Sequence, residues 1–294
     1  MSENGERASK NGEEDEDRIP YQMDVYFDDF PDIDPEALAR FVNETDPDEA
    51  DTCTVEFARD NPGGEIRQRS YVAEMGDFRM TIMVHNVPSP AAEIIEHAPL
   101  PEAFRERARK HRSFALLSHF GGENYAPYEN LIFLYKVAIG LCRQGAIGVS
   151  PVHLGLCFPG DFLIETLQFP AEVMSDETLT LWKCIREEHE PFQLLAQIGG
   201  FESGGKRYLC TNGYSFCGFP DFVYACEGDE DADDVADLFR DLFDYLMDSG
   251  PCIQAGHTMG YDEDVAFRFH EAPGDIEFPF KTYQMLLVTR ERAA

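Results

Sequence analysis

Arg67–Val84 reads RQRSYVAEMGDFRMTIMV, and this stretch decides the fold. Two runs, Arg67–Met75 and Phe78–Val84, carry the β-branched, aromatic and apolar residues that suit a pleated surface. Between them stands Gly76-Asp77, which suits a tight turn. The pattern predicts a hairpin, and therefore antiparallel pairing. Upstream, Asn61-Pro62-Gly63-Gly64 predicts another turn. Before it, Thr52–Arg59 alternates, with Cys53, Val55 and Phe57 on one side. Downstream, Val87-Pro88-Ser89-Pro90 ends the strand and opens a helix over Ala91–His97.

Working outward, Tyr21–Phe30 predicts a first strand. Asp34-Pro35 then predicts a helix start, because Asp34 can cap and Pro35 loses nothing at a position whose N–H has no intrahelical partner. Leu38, Phe41 and Val42 give that helix its apolar face. Glu102–His111 reads as a charged surface helix and Ser113–His119 as a strand. Tyr128–Gln144 is apolar nearly all round, the mark of a buried helix, and Gly145 stops it. Ala146–Phe158 reads as extended with a break at Pro151, and Phe162–Leu167 as a short helix. Further strands are expected at Phe192–Phe201, Tyr208–Tyr214, Asp221–Glu227, Ile253–Met259, Val265–His270 and Lys281–Thr289. Asp233–Asp248 places Val235, Leu238, Phe239, Leu242 and Leu246 at helical spacing. Irregular alternation with hairpins at both ends predicts an α+β fold, with a mixed or mostly antiparallel sheet flanked by helices. Both halves run hairpin, helix, strand, which leaves two similar halves open. The expected organisation is a disordered acidic tail over 1–18 and an α+β unit over 19–294, with subdomains at about 19–160 and 161–294 as the alternative.

Composition narrows the function. The chain has 294 residues, 56 acidic against 24 basic, for a formal charge of -32. Such a field repels phosphate backbones and anionic membrane surfaces, so neither nucleic acid nor membrane is an expected partner. It favours a basic protein partner, or reflects adaptation to salt. Neither a signal peptide nor a membrane span is read in the sequence. The eight cysteines form no CxxC pair and have no histidine at zinc-site spacing. Buried free thiols in a reducing, cytoplasmic setting are the expectation, with no metal and no cofactor.

Few motifs suggest chemistry. Gly200–Lys206 has the spacing of a phosphate loop, but Arg207 replaces the hydroxyl residue that would hold magnesium. Tyr208-Leu209-Cys210 continues as a strand where a helix is needed, so a hairpin turn is predicted. Asp229–Asp234 reads as a solvated helix start. His119, Glu123 and Asn124 are the candidate binding residues, because His119 ends a strand and the other two lie on the glycine-containing loop Phe120–Tyr125. His111 and His119 are expected on one side of their strand. His153 and His257 fall in predicted strands that folding can bring together.

Three stretches carry a family resemblance. They are Met83–Pro90; Lys110 through Leu116, Leu117 and Ser118 to the apolar helix and Gly145–Gly148; and Thr211–Asp221. Together they resemble the family called domain of unknown function 4261 over about residues 77–270. The resemblance implies an intracellular bacterial α+β protein. It brings no agreed activity, so no site residue is carried over.

The leading expectation is a non-enzymatic binding protein, with immunity-like neutralisation of a basic partner as its specific form. The alternative is a hydrolase-like enzyme whose active site is dispersed along the chain.

Overall fold

A computed structural model describes residues 21–45, 52–63, 66–98, 100–119, 127–166, 192–226, 231–260, 265–280, 282 and 284–292. Two sheets organise them. The first has strands β1 (Tyr21–Phe27), β2 (Thr54–Asn61), β3 (Gln68–Met75), β4 (Phe78–His85), β5 (Ser113–His119), β6 (Gly148–Pro151) and β7 (Phe158–Pro159), in the order β2-β3-β4-β5-β1-β6-β7. All its pairs are antiparallel. The second has β8 (Gln197–Ser203), β9 (Lys206–Asn212), β10 (Asp221–Cys226), β11 (Thr258–Gly260), β12 (Val265–Glu271) and β13 (Met285–Arg292), in the order β11-β12-β13-β10-β9-β8. Only β10 and β13 run parallel. The expected α+β fold with mostly antiparallel pairing is what the chain adopts.

The hairpin at Gly76 forms as the sequence predicts, with Gly76 at φ 56. Helix α1 (Pro35–Thr45) begins where expected, and Asp34 Oδ1 caps it by accepting from the Ala37 N–H at 3.0 Å. Helix α4 (Pro127–Arg143) is buried from Asn130 to Cys142. Gln144 ties its end to the start of α1, its side chain bonding the Asp34 N–H at 2.8 Å and the Asp34 carbonyl at 3.0 Å. At Gly140 a side chain would overlap Leu38 and Phe41 of α1, so glycine sets the spacing of the two helices. Short helices α2 (Glu93–His97) and α3 (Glu102–Ala108) cover the other face of the first sheet. There Ile95, Ala98 and Ala108 pack with Tyr26, Phe114 and Cys157.

Helix α5 (Gly160–Thr166) follows β7, and a single turn, α6 (Phe192–Leu195), precedes β8. Helix α7 (Asp231–Ser249) buries Val235, Leu238, Phe239, Leu242, Phe243 and Leu246 against the second sheet. One apolar cluster runs through both sheets, from Met23 and Val25 in β1 to Leu286 and Val288 in β13. Each such side chain contributes about 1.5–3 kcal/mol when fully buried.

Several expectations are corrected. Phe192–Leu195 is a helical turn, because Leu194, Leu195 and Ala196 are all buried in succession, which a strand's alternation cannot do. Within Ile253–Met259 only Thr258 and Met259 are strand, since the chain turns at Gly256 (φ 92). Phe57 is 54% exposed, because β2 is an edge strand with a bulge between Phe57 and Arg59. The proposed tail over 1–18 and the loop Phe120–Tyr125 lie outside the described residues. No helix among the described residues is long and apolar enough to cross a membrane.

Candidate functional site

His119 ends β5 on the face covered by α4. Its Nδ1–H donates to the Arg79 carbonyl at 2.8 Å, and its Nε2 lies 2.7 Å from Asn130 Oδ1. The Asn130 amide in turn donates to the Pro127 carbonyl at 3.2 Å. Tyr21, Phe78 and Phe133 surround the ring. His119 therefore fastens β4, β5 and the start of α4 to one another. Glu123 and Asn124, its expected companions, lie outside the described residues.

His111 does not share a side with His119. It precedes β5 and turns to the opposite face of the sheet, with its ring 4.9 Å from that of Tyr26. There it joins a cluster that motif reading did not reveal. Its Nδ1–H donates to the Ala108 carbonyl at 2.6 Å, which leaves Nε2 bare to accept the Ser89 N–H at 2.8 Å. The Ser89 hydroxyl donates to Asp24 Oδ2 and accepts the Ala91 N–H at 3.0 Å, capping a 3-10 turn over Pro90–Ala92. Serine, histidine and aspartate thus meet without forming a catalytic triad: His111 faces the serine's backbone and the hydroxyl is bound to Asp24. Burial raises the Asp24 pKa to about 6 against the pull of Ser89, and burial lowers that of His111. The Tyr26 hydroxyl is buried beside them without a hydrogen-bond partner. The available signal was Asp24 itself, the one charged residue of β1, within its fully buried stretch Met23–Phe27.

A second polar knot holds the other sheet. Asp221 is fully buried and accepts from the Thr211 hydroxyl at 3.1 Å, the Tyr214 N–H at 3.1 Å and the Thr282 hydroxyl at 2.7 Å. Burial raises its pKa, and these bonds with the nearby Ser215 oppose the rise. Gly213, at φ 111, brings the 3-10 turn Tyr214–Cys217 so close that a side chain there would overlap the Leu195 carbonyl. His153 lies in the turn after β6, not in a strand, and its ring centroid is 4.1 Å from that of Phe216, tilted by 33°. Both its ring nitrogens are buried and unpartnered, and burial lowers its pKa to about 3. His257 precedes β11 in the second sheet, also outside a strand.

Cys53, Cys142, Cys157, Cys210 and Cys217 are buried, as expected, while Cys226 is half-buried and Cys252 exposed. Burial pushes Cys142, Cys157 and Cys210 up to about 12, which leaves them poor nucleophiles. Among the described residues no group of three or more His, Cys, Asp or Glu is placed to hold a metal ion.

Outside these knots, α7 carries a run of acidic side chains. Its sequence holds seven aspartates and one arginine, and Arg240 pairs with Asp237 at 2.5 Å. Asp233, Asp234, Asp237, Asp241 and Asp248 are exposed around the exposed Tyr245. Its last turn has no basic residue. Aspartates near an N-terminus are favoured by the helix dipole, but Asp248 at the other end is opposed by about 0.3–1 kcal/mol.

Fold and site together define an α+β protein with internally bonded polar knots and an acidic helical face. Residues 210–282 match the model of the family described as a domain of unknown function, DUF4261. No curated protein and no solved structure matches the chain. The matched segment contains Thr211, Tyr214, Asp221 and Thr282, every group bonded in the second knot, together with all of α7. It includes Thr211–Asp221, the third stretch of the sequence resemblance; the other two lie outside it.

Proposed function

We propose that this protein is a non-enzymatic binding protein that engages, and in the immunity-like form neutralises, a basic protein partner through the solvent face of α7. The observation that carries the reading is the line of exposed aspartates from Asp233 to Asp248, continued against the helix dipole with no basic residue in the last turn. The chain's overall charge of -32 extends the same field and steers a basic protein toward it. Free thiols suit a reducing cytoplasm. For the hydrolase alternative, Ser89, His111 and Asp24 offer little, because each is bonded within the fold.

The test is capture of a basic protein by the tagged chain at low and moderate salt, beside a variant carrying Asp234→Asn, Asp237→Asn, Asp241→Asn and Asp248→Asn. Retention of a basic protein by the wild type, weakened by salt and lost in the variant, is expected. Equal retention by both would sink the proposal.

A further inference from the structure

The two sheets have four edges, and three are guarded. Edge strand β2 is bulged between Phe57 and Arg59, carries Glu56, Arg59 and Asp60, and has the Asn43 side chain clamped to both backbone groups of Cys53 just before it. Strands β7 and β11 are 2 and 3 residues long. Short strands, bulges and charges are the usual protections against pairing with another chain. Strand β8 has little of this. It runs 7 residues, Gln197–Ser203, in unbroken register with β9, without proline or bulge and with Glu202 its one charge. At its centre stand Gly199 and Gly200, both exposed. A side chain at Gly199 would meet nothing within 4 Å.

The turn fixes which backbone groups face outward. Gly204 and Gly205 both have positive φ, 57 and 74, as a two-residue hairpin turn of type I′ requires. Ser203 and Lys206 then form the hydrogen-bonded pair that closes the hairpin. Alternation along the register makes Phe201–Tyr208, Gly199–Cys210 and Gln197–Asn212 bonded pairs too. Ile198, Gly200 and Glu202 therefore turn their N–H and C=O groups away from β9, and no described residue pairs with them.

We infer that the free edge of β8 is a docking site, at which an extended, basic segment of a partner protein adds as a further strand. Main-chain bonds to Ile198, Gly200 and Glu202 hold the segment, and the two glycines leave room for its side chains. The partner's charge follows from complementarity. Glu202 is offset by Arg207 opposite it in the register, so the attraction comes from the wider field: two copies of a chain at -32 repel each other, whereas lysine and arginine are drawn by that charge and by α7, which packs over β9 and β10. The sign of the partner's charge rests on the α7 reading above; the edge itself does not.

The probes are a fluorescent peptide of alternating lysine and valine, about as long as β8, the same peptide N-methylated at alternate amides, and a glutamate–valine counterpart. Binding to the full chain is read by anisotropy. The variant Gly200→Pro removes an outward N–H that β9 does not use, and an edge strand tolerates proline. Its folding is checked by circular dichroism and thermal melting. The unmethylated basic peptide is expected to bind at least about tenfold more tightly than either control, and Gly200→Pro to weaken it by about tenfold. Without peptide, the amides of Ile198, Gly200 and Glu202 are expected to exchange rapidly by NMR.

Unchanged binding by a folded Gly200→Pro variant, or equal binding of the acidic peptide, would overturn the inference. So would protection of those three amides in the monomer, which would mean that the chain covers its own edge. A dimer abolished by Gly200→Pro would assign the edge to a second copy and overturn it too. Loss of binding with the four α7 substitutions but not with Gly200→Pro would leave the α7 reading standing and refute this one. Loss with Gly200→Pro alone would support the docking edge and refute the α7 reading.

Discussion

Replacing Asp24 by asparagine isolates the charge in the first polar knot. In the folded protein Asp24 titrates at about 6, against 3.8 for an unperturbed aspartate. A raised carboxyl pKa means that the folded state holds the proton more tightly, so ionised Asp24 costs stability. The cost is absent well below the unfolded pKa, grows as pH rises between the two values, and is complete above the folded one. Its full size is about 3 kcal/mol. About 1.4 kcal/mol of it develops between about pH 5 and about pH 8. Asparagine keeps an oxygen to accept from Ser89 and carries no charge. Its stability relative to wild type is therefore expected to rise by about 1.4 kcal/mol across that interval. Urea unfolding of both proteins at the two pH values measures this. His111 and His153 titrate with the opposite sign, because their folded pKa values are lowered, and they cancel in the comparison. A difference between the proteins that stays constant with pH would refute the reasoning.

The remaining predictions concern packing and the second knot. His153 is held neutral down to about 3 by burial, so its share of stability is complete above the unfolded value of 6.5 and declines as pH falls below it. His153→Phe keeps a ring on Phe216 and is expected to flatten the loss of stability on acidification, measured by thermal melts across pH. Gly140→Ala is expected to cost about 1–3 kcal/mol by forcing α1 and α4 apart, read by urea unfolding. Asp221→Asn keeps one acceptor oxygen but puts an NH2 group in place of the other, against either the Thr282 hydroxyl or the Thr211 hydroxyl and Tyr214 N–H, and is expected to cost about 2–4 kcal/mol in the same assay.

Local signals sufficed where one force dominated. The Gly76-Asp77 turn, the Asp34 cap and the apolar run of α4 each appear where residue chemistry predicts them. So does the hairpin at Gly204-Gly205, which excludes the phosphate-loop reading of Gly200–Lys206. Prediction failed where tertiary contact overrode local preference. Phe192–Leu195 has strand-like composition, yet packing buries Leu194 and Leu195 together and closes a helical turn. The candidate site was less legible. His119 was singled out for its strand-end position, but it proved to be a clamp whose ring nitrogens meet Arg79 and Asn130. Asp24 lies in β1, Ser89 just before the 3-10 turn and His111 just before β5, and they meet only after the sheet pairs, so no spacing along the chain could reveal them. The acidic face of α7 was visible in composition, but the exposure of Asp248 at its far end required the structure.

The most direct test of the account is the association rate of the captured basic partner with wild-type and four-fold α7-substituted protein, measured by surface plasmon resonance over a range of salt. The account predicts a wild-type rate that falls steeply as salt rises, and a variant about tenfold slower at low salt that converges with wild type at high salt. Rates that are equal for the two proteins at every salt concentration would contradict it.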